Sequence, residues 1–155
     1  MTTIEQRLQI LEDHIALERV FQSYYAAVDT MSDLDGIVAC FTEDGVFDVS
    51  PLGLKAFKGH QEIRDFFAGA FADTKWHVHH VTNFRVLSLE GDQATGRGYV
   101  YARAEGKTGM QITVHCYIDV QYVRTASGWK IKHFYEGPLV PLGDAVSELH
   151  QHQNG

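Results

Sequence analysis

The spacing of apolar residues divides the chain into two halves. Ile4, Leu8, Leu11, Ile15, Val20, Phe21, Tyr24, Tyr25 and Val28 recur at the helical period, uninterrupted by Gly or Pro. They predict one long helix from Thr3 to Asp29. Ser32, followed three residues later by Asp35, has capping-box spacing and opens a second helix through Ile37, Val38 and Phe41. Glu43-Asp44-Gly45 reads as a turn and Val46-Phe47-Asp48-Val49 as a short strand, ended by Pro51 and Gly53. Lys55 to Lys58 reads as a second strand. A third helix covers Gly59 to Ala72, with Ile63, Phe66, Phe67 and Phe71 on one side.

From Trp76 onward the pattern alternates instead. Four strands are predicted, Trp76–Leu89, Gln93–Ala104, Met110–Arg124 and Trp129–Glu136. The connections between them are Glu90-Gly91-Asp92, Glu105-Gly106-Lys107 and Ala126-Ser127-Gly128. Short Gly-bearing connections make antiparallel hairpins. Helices first and a meander afterwards define an α+β domain, residues 1–143, with a polar tail over 144–155.

The strand faces differ. In Met110–Arg124 the even positions, including Ile112, Val114, Cys116 and Ile118, are apolar, and the odd ones, including Thr113, His115 and Tyr117, are polar or mixed. In Gln93–Ala104 the even side reads Ala94, Gly96, Gly98, Val100, Ala102, Ala104. Those side chains are too small to fill the space between a sheet and a helix, and a packed interior leaves no voids. Either bulky neighbours or a ligand must occupy it. The mixed odd face of Met110–Arg124 predicts a homodimer.

Totals narrow the function classes. At 155 residues the chain is the size of one domain, and 45% hydrophobic with 21% charged is globular. The formal net charge of −7, without a basic patch, argues against nucleic acid. No apolar run approaches membrane-spanning length, and the start lacks the pattern of a signal peptide. Cys40 and Cys116 are the two cysteines, each in an apolar segment without CxxC, which predicts reduced thiols and a cytoplasmic protein.

Five motifs in order resemble the SnoaL-like branch of the nuclear transport factor 2-like superfamily. They are Tyr24-Tyr25-Ala26-Ala27-Val28-Asp29, Phe41-Thr42-Glu43-Asp44-Gly45-Val46-Phe47, Phe57-Lys58-Gly59-His60-Gln61-Glu62-Ile63, His79-His80-Val81-Thr82-Asn83 and Ser127-Gly128-Trp129-Lys130-Ile131. The resemblance implies a cystatin-like fold: a curved antiparallel sheet forming a cone, closed by the N-terminal helices, with a pocket inside, usually in a dimer. The superfamily includes scytalone dehydratase, a hexachlorocyclohexane dehydrochlorinase, polyketide cyclases, steroid isomerases, dioxygenase small subunits and binding modules. Fold therefore does not fix the chemistry.

Asp29 lies on the apolar stripe of the first helix, four residues after Tyr25. It is either a partly desolvated functional carboxylate or a cap for local backbone. By resemblance to the dehydratase and the dehydrochlorinase it pairs with a histidine, His79, which acts as general base. Strict alternation instead groups His79 with His77, Asn83 and Arg85, and His80 with the more apolar Val78, Phe84 and Val86. A bulge in so long a strand resets alternation, so His79 stands first and His80 in reserve. Tyr25, Phe47, His80, Cys116 and His133 are candidates for the pocket wall. His77-x-His79 places two imidazoles on one strand face. No Cys or carboxylate follows at a diagnostic spacing, so no metal and no cofactor is assigned.

The sequence departs from both named enzymes. The dehydratase's tyrosine before the aspartate corresponds to Val28, and its strand tyrosine to about Val49. The dehydrochlorinase's lysine corresponds to Tyr24, and its arginine to about Phe134. The expectation is a cofactor-free lyase or isomerase, of dehydratase or cyclase type, acting on a small apolar cyclic or aromatic molecule. A non-catalytic binding module and a subunit-like protein with a vestigial pocket are the alternatives.

Overall fold

A computed structural model describes residues 2–141. The first helix, α1 (Ile4–Asp29), opens on a capping box in which the Thr3 side chain accepts from the Gln6 N–H and the Gln6 side chain accepts from Thr3. Its apolar stripe splits in two. Leu17, Phe21, Tyr24, Tyr25 and Val28 are buried against the sheet, whereas Ile4, Leu8, Leu11 and Ile15 project into solvent. The cap of α2 (Leu34–Ala39) is Asp33, which accepts from the Gly36 N–H, and not Ser32 as the spacing suggested.

Strand β1 (Phe41–Asp48) starts earlier than its apolar run, because Glu43-Asp44-Gly45 continues the strand irregularly and is not a free turn. A 3-10 turn at Ser50–Leu52 leads to β2 (Ala56–Lys58) and α3 (Gly59–Asp73). The long strands are β3 (Thr74–Glu90), β4 (Gln93–Gly106), β5 (Gln111–Thr125) and β6 (Gly128–Pro138). All three predicted hairpins are present. The six strands form one sheet in the order β2-β1-β6-β5-β4-β3. The β3–β6 meander is antiparallel, but β1 lies parallel to β6, so the sheet is mixed. The segment 144–155, expected as a polar tail, lies outside the described residues. No described helix is long and apolar enough to cross a membrane.

Bulges decide which side chains face the core. In β3, Lys75 is an extra residue between the pairs Thr74↔Gly106 and Trp76↔Glu105. A second bulge falls at Asn83-Phe84, where Asn83 adopts a left-handed backbone (φ 54°) that Asn tolerates better than most residues. Between the bulges alternation is regular, so His77, His79 and Val81 sit opposite Ala104, Ala102 and Val100. Beyond Asn83 the face resets and Phe84 turns inward.

The small residues of β4 serve two purposes. Phe21 and Phe84 stack at 4.7 Å over Gly98 and Gly96. A Cβ on Gly98 would lie 2.6 Å from the Phe21 ring, so the glycine is required by close approach of α1. Bulky neighbours thus fill this half of the concave face. Ala102 and Ala104 face open volume instead.

Candidate active site

A cavity of about 130 Å³ lies between α1, α3 and the concave sheet face. Its wall is mostly apolar, with Tyr24, Phe47, Phe66 and Phe67 on one side and Ala102 and Ala104 on the other. An engineered apolar cavity of about 150 Å³ holds benzene, so the space suits one ring.

The end of α1 delivers Asp29 to this cavity, and the regular stretch of β3 delivers His79. The His79 Nδ1–H donates to the Asp29 carboxylate at 2.6 Å, and the His79 backbone N–H lies 3.4 Å from its other oxygen. Among the described residues the Asp29 carboxylate therefore bonds to His79 and not to the local backbone at the end of α1, which speaks against the capping alternative. Burial opposes ionisation of Asp29. The hydrogen bonds and charge of His79, with a smaller contribution from His77, more than offset it and hold the carboxyl below its ordinary range. His79 lines the cavity and Asp29 does not, so the imidazole stands between carboxylate and cavity. In the neutral ring with Nδ1–H so engaged, Nε2 is the nitrogen that carries the lone pair.

His77 anchors the arrangement. Its Nε2–H donates to the Val28 carbonyl at 2.8 Å, joining the Met31 N–H that the same carbonyl accepts at the end of α1. Burial favours its neutral form. One ligand atom each from Asp29, His77 and His79 lies within 4.8 Å of the others, a carboxylate contact that linear spacing did not reveal. These three are the described residues able to hold a metal together. In the arrangement present, His77 Nε2 and His79 Nδ1 are engaged with Val28 and Asp29.

The other wall candidates separate. Tyr25 and Phe47 line the cavity. His80 does not: it is exposed on the convex face, opposite Tyr101, with the rings 6.1 Å apart. Cys116 is fully buried behind the wall, beside the Glu136 carboxyl, and burial pushes its thiol far up. His133 is also turned away, its Nε2 3.8 Å from Asp48. The cause is a bulge at Lys132, since Tyr122 pairs with Ile131 but Gln121 with His133. That extra residue rotates His133 and Tyr135 outward and brings Phe134 and Glu136 inward.

Glu136 is the site residue that strand alternation concealed. It lines the cavity, is half-buried, and feels the charge of His79. Burial raises its carboxyl pKa, partly countered by His79 and the Cys116 thiol, so the neutral acid is favoured. Two carboxyls in one site are thus pushed in opposite directions, Asp29 toward the anion and Glu136 toward the acid. The folded state prefers protonated Glu136, so stability is given up as pH rises from the ordinary carboxyl value of 4.5 toward the raised one. Glu136→Gln removes that loss. Its melting temperature is expected to match wild type near about pH 4 and exceed it progressively at higher pH. Parallel melting curves across the range would mean that Glu136 ionises without penalty.

Comparison with known proteins places these features in a family. Residues 9–135 match the SnoaL-like domain model. A crystal structure from Novosphingobium aromaticivorans, provisionally assigned as an aromatic ring hydroxylase, is 41% identical with a TM-score of 0.83, covering 86% of this chain and 93% of that one. A provisionally assigned scytalone dehydratase from the same organism is 17% identical, TM-score 0.76, covering 89% of each chain. A type-3 hexachlorocyclohexane dehydrochlorinase from Novosphingobium barchaimii is 18% identical, TM-score 0.77, covering 86% and 91%. At those identities the last two share the fold alone. No match is found among proteins of curated function. The domain match over most of the chain makes this protein a member of the SnoaL-like domain family.

Proposed function

We propose that the protein is a cofactor-independent lyase or isomerase that removes a proton from carbon in a small, largely apolar ring compound. The observation that carries this reading is the position of His79 between the Asp29 carboxylate and an apolar cavity. Asp29 fixes the tautomer that leaves Nε2 basic and stabilises the imidazolium formed after proton transfer. The cavity wall is mostly apolar, and a low-dielectric surrounding of that kind strengthens the electrostatic support. The experiment is incubation with single-ring ketones, lactones and phenols in deuterated water, followed by NMR. Loss of a carbon-bound proton signal at an enzyme-dependent rate is expected for at least one class. Ligands at a hundred times their dissociation constant stabilise the fold by about 2.7 kcal/mol. Stabilisation without exchange for any compound would assign the protein to binding alone.

Assembly as a homodimer belongs to the same proposal. The convex face carries a layer of rings, with Tyr101 4.8 Å from His115 and Tyr117 6.1 Å from Tyr135, and Arg97 lies 4.9 Å from the Tyr117 ring. Aromatic and Arg side chains of this kind are enriched at protein interfaces. Sedimentation at micromolar concentration is expected to give twice the 17.4 kDa chain mass, and a monomer would remove the proposal.

A further inference from the structure

His77 stands beside His79 on the regular stretch of β3, with the ring centres 5.0 Å apart and both side chains on the cavity wall. The Asp29 carboxylate reaches both from the end of α1. Its Oδ1 lies 2.6 Å from His79 Nδ1 and 3.8 Å from His77 Nε2. One ligand atom from each of the three residues lies within 4.8 Å of the others. Two imidazoles and a carboxylate are a donor set of Zn²⁺ sites that use three protein groups and leave a fourth position open. Bonds of about 2.0–2.2 Å to one tetrahedral ion set its ligand atoms roughly 3.3 Å apart. The separations here straddle that spacing, and the widest has to close by no more than about 1.5 Å.

We propose that Asp29, His77 and His79 form a Zn²⁺ site, and that the ion held there blocks proton abstraction by His79. The block rests on the reading of His79 as base; the site itself does not. Asp29 Oδ1, His77 Nε2 and His79 Nδ1 are the ligand atoms, and water takes the open position. Imidazole and carboxylate together suit this borderline-soft ion. The Asp29 side chain keeps 33% of its exposure, which gives the ion a way in from solvent.

Coordination uses a ring lone pair, so each imidazole gives up the proton on its coordinating nitrogen. In the neutral rings that proton reappears on the other nitrogen. His77 changes from Nε2–H to Nδ1–H, and His79 from Nδ1–H to Nε2–H, with no proton gained or lost. The His79 nitrogen facing the cavity is then a donor without a lone pair, and it cannot accept a proton from carbon. Few hydrogen bonds are given up in exchange. The Val28 carbonyl loses His77 but still accepts from the Met31 N–H at 3.1 Å. The second Asp29 oxygen keeps the His79 backbone N–H at 3.4 Å, and such outer contacts orient metal ligands.

The test starts from protein freed of metal by EDTA and adds Co²⁺ or Zn²⁺. Co²⁺ accepts the same ligands and absorbs visible light, so the bands of a four-coordinate ion are expected, displaced by Zn²⁺. With Zn²⁺ the far-downfield proton of the Asp29–His79 contact should vanish. The ¹⁵N shifts should mark coordination at His77 Nε2 and His79 Nδ1, with a proton now on His79 Nε2. His77→Gln should weaken Zn²⁺ binding by at least the roughly tenfold that loss of an outer-shell partner costs. His80→Gln, exposed on the convex face, should leave it unchanged. Absence of the bands and shifts, or equal binding by wild type and His77→Gln, overturns the site. The wild-type spectra decide this even if His77→Gln does not fold. For any ring compound that exchanges a carbon-bound proton in deuterated water, saturating Zn²⁺ should slow exchange by about 10²-fold or more, and EDTA should restore it. Zn²⁺ bound at these ligands with exchange unslowed overturns the block and removes His79 as base, and exchange that requires Zn²⁺ does the same. If no compound exchanges, the base reading fails, while the ¹⁵N spectra still decide the metal site and the proton on His79 Nε2.

Discussion

Replacing His79 by glutamine is expected to lower the rate of proton abstraction from carbon by about 10²- to 10⁴-fold, the range a positioned general base contributes. Glutamine occupies similar volume and keeps an amide near Asp29, but it has no basic nitrogen for the cavity. Ligand-induced stabilisation should therefore persist while exchange is lost. Asp29→Asn is expected to act through the histidine. Its amide no longer demands Nδ1–H, so the imidazole samples the other tautomer and orientation, and the rate falls without loss of folding. A proton held in a 2.6 Å N–H···O contact gives a far-downfield NMR resonance. That signal should be present in wild type and absent in both variants. If exchange survives His79→Gln, another group is the base. If it disappears in EDTA and returns with a divalent metal, Asp29, His77 and His79 act as ligands instead.

The second large effect concerns stability. Asp13→Ala is expected to destabilise the fold by about 3 kcal/mol, the low end for breaking a buried ion pair, because Arg124 keeps 32% of its side-chain exposure. Asp13 is buried on α1, 111 residues from its partner. It accepts two hydrogen bonds from Arg124 at 2.8 and 2.7 Å, one from Trp129 Nε1 at 3.0 Å and one from Gln9 at 3.2 Å. Arg124 also lies 4.3 Å from the Trp129 ring. Losing the carboxylate leaves the indole N–H and the two terminal guanidinium nitrogens without their acceptor under the helix, while Arg124 Nε keeps its bond to Asp92 at 3.0 Å. A melting temperature lower by roughly 6–12 °C follows for a domain of this size. The Arg124 contacts hold the Asp13 carboxyl below its ordinary range, so the pair stabilises above the unfolded carboxyl pKa. That stability is lost as pH falls through the lowered folded value. The Asp13→Leu, Arg124→Met double variant should recover much of the loss, since it removes both charges together. A single variant with an unchanged melting temperature would show that the α1–hairpin tie carries no net stability.

Much of the architecture was legible along the chain because it depends on local spacing. The period of α1 and α3, the Gly-bearing turns and the alternation of β5 each express backbone geometry over a few residues. The small-residue face of β4 correctly announced unfilled space, although it did not show that Phe21 and Phe84 occupy the Gly96–Gly98 half. Asp29 was visible as a carboxylate on an apolar stripe, and its pairing with His79 followed from resemblance. The strict alternation that favoured His80 failed for a definable reason. Asn83-Phe84 is a bulge, and residues beyond it report the opposite face to those before it.

The same effect hid Glu136. Read with period two from Trp129 and Ile131, the inward positions of β6 are His133 and Tyr135; the extra residue at Lys132 makes them Phe134 and Glu136. No local pattern marks such a residue, because a bulge answers to the curvature of the whole sheet. Asp13 escaped notice similarly, since its burial depends on a hairpin more than a hundred residues away. The sequence by itself determined the helices, the hairpins and the small-residue face that marks concave space. Tertiary structure decided the parallel pairing of β1 with β6, the faces beyond each bulge and which acids lose their water. Secondary structure follows from contacts a few residues apart, whereas the dielectric and partners of a side chain are set by whatever the folded chain brings beside it.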